Sequence, residues 1–201
     1  TWLILLGILV NCGAPPFSAW LPDAYPAASV TGGLILSAYT TKTAVYTLLR
    51  GFPEWEPLIW IGCIMAVYGM IYALMETDMR RVLAYAILNQ VGFMVCAAGI
   101  GTHEAINGAA AAAFCHILYK SLLWMATGAV LYRVGRGQLT ELGGMHRSMP
   151  VTALFCGIGA LSMAAPGTCG FTSKTIIIHA AEHEKLFVPW LVLALSSVGI
   201  F

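Results

Sequence analysis

Lysine occurs four times in this sequence, and three of the copies, Lys42, Lys120 and Lys174, stand inside long apolar runs. At the centre of a membrane helix each would cost about 2.5–3.5 kcal/mol on insertion scales unless paired or hydrated, so packing alone is a poor reason to keep them. A desolvated lysine is able to take up and release a proton, and the chemistry these residues point to is proton transfer. Lys42 precedes Arg50 by eight residues, about 12 Å along a helix, so it does not easily snorkel to the polar end of its run. His116 lies four residues before Lys120, which puts both on one helical face, close enough to pass a proton directly or through water. Lys174 follows the interruption Pro166-Gly167-Thr168-Cys169-Gly170, where an interfacial anchor is the competing reading.

Other polar groups read as structural. Glu76, Asp78, Arg80 and Arg81 form a compact polar turn, expected to be a solvated loop, with Glu76 able to reach back toward the apolar runs. Asp23 is placed to cap a helix or to pair with a loop arginine. His179-Ala180-Ala181-Glu182-His183 matches a pattern that puts two metal-binding histidines one helical turn apart with a glutamate between them. That pattern needs a third ligand and a watery cleft, and the mostly apolar residues after His183 offer neither. A polar helix exit is the reading taken, with no metal and no cofactor expected. The pairs Gly99/Gly101 and Gly135/Gly137 do not complete a dinucleotide or phosphate loop. The six cysteines are irregularly spaced without a CxxC and read as small apolar filler.

These groups need apolar elements to hold them. The chain is 59% hydrophobic and 9% charged, against roughly 25% charged in soluble domains. Its net charge of +1 gives no basic stripe for nucleic acid. Apolar runs at 1–14, 27–49, 58–75, 82–100, 105–132, 150–179 and 187–201 predict about seven membrane spans, the first and last incomplete. Runs of this length without alternation fit an all-helical polytopic bundle, not a barrel. The initial Thr1–Val10 has no basic leader.

Two spans are predicted to be broken: one by Gly13, Pro15, Pro16, Pro22 and Pro26, the other by Pro166–Gly170. Unwound backbone at membrane depth is tolerated where it lines a polar path. Arg80, Arg81, Arg133, Arg136 and Arg147 fall on one side of the predicted topology and Arg50 and Lys185 on the other. The positive-inside rule makes the first side cytoplasmic, together with the Trp20–Tyr25 turn. Small residues along the fifth span, Gly108, Ala109–Ala113 and Gly128, predict close helix packing.

Six segments in order, Pro15–Tyr25 (PPFSAWLPDAY), Thr41–Arg50 (TKTAVYTLLR), Glu76–Tyr85 (ETDMRRVLAY), Phe114–Leu123 (FCHILYKSLL), Leu139–Pro150 (LTELGGMHRSMP) and Gly170–Lys174 (GFTSK), resemble the antiporter-like proton-conducting subunits. That family is shared by the membrane arm of respiratory complex I, membrane-bound hydrogenases and Mrp-type sodium/proton antiporters. The resemblance implies that residues 1–201 are part of a single proton-translocation domain, the seventh to the start of the thirteenth of fourteen helices, with the seventh and twelfth broken. It implies that Lys42 is the eighth-helix lysine, that His116 and Lys120 are the central relay of the eleventh helix, and that Lys174 is the twelfth-helix group exchanging protons with the outside. Where the family has a seventh-helix lysine, nine residues before the Trp of WLPDA, this chain has Asn11, which orders water but carries no proton at physiological pH. The implied setting is the inner (cytoplasmic) membrane, with other membrane subunits, lipid, protons and possible sodium as partners. The chain would not be catalytic by itself but would belong to an NADH-quinone oxidoreductase-like or hydrogenase-like translocase, to a Mrp-type sodium/proton antiporter, or to a structural subunit that has lost transport.

Overall fold

A computed structural model describes residues 2–199. Among them the regular structure is helical, apart from one isolated β-bridge between Asp78 and Gln138. α1 (Trp2–Cys12) ends where Gly13 adopts φ +78°. After a short 3₁₀ turn, α2 (Trp20–Ala27) continues with the axis turned by 46°, so the first predicted break is present. The expected turn at Trp20–Tyr25 is therefore helical. Pro22 sits in the first turn of α2, where no N–H is needed, and Pro26 lies in the last. The indole of Trp20 donates to Val10 O across the break at 2.9 Å, joining Gly13 N on that carbonyl, while Ala14 N turns to Leu9 O.

The apolar run over 27–49 predicts one plain helix for the second span. It instead runs as α3 (Val30–Ile35), a wide π turn (Leu36–Thr40) and α4 (Thr41–Gly51). Ser29 caps its start, accepting from Gly32 N at 3.1 Å. Next come α5 (Pro57–Met75), α6 (Met79–Ile100) and α7 (His103–Val134), each long and apolar enough to cross a membrane. The 32 residues of α7 extend for about 48 Å, beyond the ~30 Å of a bilayer's hydrocarbon. A short α8 (Met145–Ser148) leads to α9 (Pro150–Ala164), and a four-residue interruption, Ala165–Thr168, separates it from α10 (Cys169–His183). The second predicted break is thus also present. α11 (Phe187–Gly199) closes the described region.

α6 is the axis of the bundle. Residues 86–100 are buried without interruption, as expected for a helix apolar on every side. Against it α5 packs backbone to backbone. A Cβ added to Gly62 would collide with Cys96 N and one at Gly69 with Asn89 N, while at Gly92 it would sit 2.6 Å from Ala66 N and at Gly99 2.6 Å from Ile59 N. The small residues predicted along α7 also serve close contacts: Gly108 meets Ile176 and Ile177 of α10, and Gly128 meets Val30 of α3. Large apolar side chains such as Tyr39, Ile64, Phe114 and Leu154 point outward, a surface suited to lipid or to neighbouring helices.

The loops predicted to share a side do so. Met79 N donates to Gly137 O at 3.0 Å and Leu139 N to Thr77 O at 2.9 Å. Arg81 pairs with Asp23 at 3.2 Å, so Asp23 takes the loop-arginine role. Glu76 turns to Thr77 N and Asp78 N and not into the bundle.

Candidate functional site

Lys42 stands two residues beyond the π turn. A π turn widens the helix and turns backbone carbonyls sideways, and here two of them accept side-chain hydrogen bonds. Ser37 O takes one from Lys42 Nζ at 2.7 Å, and Leu36 O takes one from the hydroxyl of Tyr25 at 3.1 Å. Thr41 Oγ1 is 3.2 Å from the same ammonium. Lys42 is 6% exposed, so the snorkelling alternative does not describe it.

His116 and Lys120 are both fully buried, one turn apart on α7. Lys120 Nζ donates to Leu83 O of α6 at 3.3 Å. Neither ring nitrogen of His116 has a hydrogen-bond partner in the protein, although Tyr119 packs against the ring edge-on at 5.3 Å between centroids. Lys174 enters from the second turn of α10 and is 4% exposed, so the anchor alternative fails for it as well. Its Nζ lies 5.9 Å over the Phe93 ring and makes no hydrogen bond to the protein. A groove of about 570 Å³, lined among others by Pro166, Phe171, Lys174 and Ser197, reaches this lysine between the α9–α10 interruption and α11.

The four groups form one constellation. Lys42 and Lys120 are within electrostatic reach of each other, as are Lys120 and Lys174, and His116 is within reach of all three. Five elements position them: the π turn for Lys42, α7 for His116 and Lys120, α6 as the wall beneath, and the interrupted α9–α10 for Lys174. Asn11 stays apart. It is half-buried in the last turn of α1 and makes no hydrogen bond to the others, while its neighbour Cys12, fully buried, is within electrostatic reach of Lys42.

Sequence reasoning misses three polar features. Arg80, expected in a solvated loop, is instead 6% exposed. It donates to Pro26 O at 2.7 Å, Ala28 O at 3.0 Å and Ser29 O at 3.4 Å, with its guanidinium 5.0 Å above the Trp124 ring. The physical reason is the C-terminus of α2, whose carbonyls lack helical partners and need a donor. A second feature is the buried set Asn89, Gln90 and Ser196, in which Asn89 Nδ2 donates to Ala66 O at 2.8 Å and to Ser196 Oγ. Asn89–Gln90, a polar pair in an otherwise apolar run, is the signal that could have found it. The third is Glu104, which comes together with His179 and His183 at one end of the bundle.

Residues 1–200 match the model of the NADH:quinone oxidoreductase/Mrp antiporter transmembrane family. The chain belongs to that family. Among curated relatives, F(420)H(2) dehydrogenase subunit L of Methanosarcina mazei is 31% identical over the whole of this chain and 34% of its own length. Hydrogenase-4 component B of Escherichia coli is 30% identical over 86% of this chain and 29% of its own length. The chain thus spans about a third of the curated relatives it matches. Among solved structures, one of the membrane-bound sulfane sulfur reductase, an archaeal respiratory membrane complex, superposes with a TM-score of 0.91 at 29% identity, covering 98% of this chain and 43% of that one. The Mrp complex from Dietzia shares the fold, with a TM-score of 0.90 at 23% identity over 99% of this chain and 39% of that one. Family membership and the apolar helices make this a multi-pass membrane protein whose relatives are antiporter-like subunits of multi-subunit membrane complexes.

Proposed function

We propose that this chain is part of a proton-translocating subunit of an ion-pumping complex, in which protons move through Lys42, Lys120 with His116, and Lys174. The observation that carries the reading is the burial of all four side chains within electrostatic reach of one another, Lys42 of Lys120, Lys120 of Lys174, and His116 of all three. Burying a polar group without a partner costs about 1–3 kcal/mol by protein measurements, and such sites are commonly satisfied by internal water. The unpartnered nitrogens of His116 and Lys174 therefore support a hydrated axis. The groove beside Lys174 supports its role as the group exchanging protons with the outer side. Residues 1–201 correspond in this reading to the seventh helix to the start of the thirteenth of fourteen. The basic loops lie on the cytoplasmic side of an inner membrane, and the partners are other membrane subunits and lipid.

The test is proton uptake into vesicles by the intact assembly with Lys42→Ala, Lys120→Ala or Lys174→Ala in the full-length subunit. Each variant should lower the translocation rate at least about tenfold while the assembly still purifies; three unchanged rates would remove the relay. A second reading, a structural subunit that has lost transport, is favoured by one observation: Asn11 stands where the family resemblance implies a lysine. Wild-type assemblies that move no protons would establish it. Whether the driving force is redox chemistry or sodium exchange is set by the neighbouring subunits, and sodium dependence of proton movement measured without a redox substrate distinguishes the two.

A further inference from the structure

The sequence offers His179 and His183 as two metal ligands lacking a third, and the fold supplies one from 75 positions upstream. Glu104, in the first turn of α7, has a carboxylate oxygen that lies with one ring nitrogen from each histidine such that all three atoms are within 4.8 Å of one another. All three side chains are exposed. The two imidazoles are already drawn together, with centroids 4.8 Å apart on successive turns of α10.

This meeting follows from how α7 and α10 pack. Gly108, one turn after Glu104, admits Ile176 and Ile177, and a Cβ at Gly108 would come within 2.9 Å of Ile176 Cγ2. Ala105, Ala180 and Ala181 are fully buried in the same region. Small residues at this crossing let the helices approach, and that close register leaves Glu104 facing the histidine pair. Neighbouring titratable groups are His103, whose Nδ1 is engaged with Asn107 Nδ2 at 3.0 Å, together with Glu182, Glu184 and Lys185.

We propose that Glu104, His179 and His183 form a binding site for a divalent transition metal of the zinc class, with water as the fourth ligand. Two imidazoles and one carboxylate are a donor set that zinc accepts with an open fourth position, and imidazole favours zinc, copper and nickel over calcium or magnesium. In a tetrahedral zinc site with ~2.0 Å bonds the donor atoms lie about 3.3 Å apart. The required closure of about 1.5 Å falls on three solvent-exposed side chains with rotamer freedom. A bound ion joins the start of α7 to the end of α10, the helices that carry Lys120 and Lys174. The site stands whether or not those lysines conduct protons.

The experiment uses the full-length subunit in its purified assembly, stripped with a chelator and titrated with zinc against a chromophoric competitor. Wild type, His183→Ala, His179→Ala and Glu104→Gln are compared, since the full chain offers zinc other places to bind. One equivalent per chain should be lost in each histidine variant, and Glu104→Gln should weaken that equivalent about tenfold or more. Zinc should also raise the thermal midpoint of the wild type and not of the histidine variants, each of which should match the wild type in chelator. The same zinc stoichiometry and affinity in all four proteins overturns the proposal. Loss in the histidine variants with no effect of Glu104→Gln also overturns it, because it leaves a two-histidine contact within one helix and no bridge.

Discussion

Replacing Arg80 with alanine tests how the break in the first span is sealed. Arg80 holds two short hydrogen bonds, to Pro26 O at 2.7 Å and Ala28 O at 3.0 Å, plus a longer one to Ser29 O and a stacking contact with Trp124. A hydrogen bond with one charged partner contributes about 1.5 kcal/mol or more, and a largely desolvated cation–π pair about 1–2 kcal/mol. Against this, the variant no longer desolvates a guanidinium, which offsets part of the loss. The remainder is about 3 kcal/mol, which at about 1.4 kcal/mol per decade is roughly a hundredfold change in a local opening equilibrium. Hydrogen exchange on the full-length protein should therefore show the amides of residues 27–33 exchanging about a hundredfold faster, with α5 unchanged. Arg80→Lys keeps a point charge that reaches one carbonyl but not two, so about a tenfold effect is expected there. Exchange of residues 27–33 within about threefold of wild type in Arg80→Ala would refute the sealing role.

Two further outcomes are expected. Tyr25→Phe removes the donor to Leu36 O and should weaken the π turn by about 1 kcal/mol, read as roughly fivefold faster exchange of residues 36–41. Gly69→Val places a branched side chain where a Cβ alone would already collide with Asn89 N. Overpacking of about 3 kcal/mol or more should then appear on a native gel as loss of assembled complex.

Much of this is legible in the sequence because membranes penalise charge and reward long apolar runs. Lys42, Lys120 and Lys174 stand out against their surroundings, the prolines and glycines near residues 13–16 and 166–170 announce both interruptions, and the arginine distribution pairs the loops correctly. The π turn is not legible. Leu36–Thr40 carries no proline or glycine, and the turn is stabilised by partners, Tyr25 and Lys42, that tertiary placement supplies. Arg80 looks like its neighbour Arg81, yet Arg81 pairs with exposed Asp23 while Arg80 turns inward to unpaired carbonyls. Glu104 is invisible as a third ligand because its partnership with His179 and His183 exists only through the α7–α10 crossing. The pair Gly62/Gly69 facing Gly92/Gly99 is also easily passed over, since glycines seven apart on adjacent helices acquire meaning only once the helices are known to be antiparallel neighbours.

That glycine contact has a mechanical consequence. Helices whose backbones touch at four levels have no slack in which to slide or roll, so α5 and α6 act as a stator. Leu83 O, which receives Lys120, and Phe93, which lies under Lys174, both belong to α6. Two of the three buried ammonium groups are therefore gauged against the stiffest part of the molecule, while Lys42 rides on a helix with a built-in wide turn.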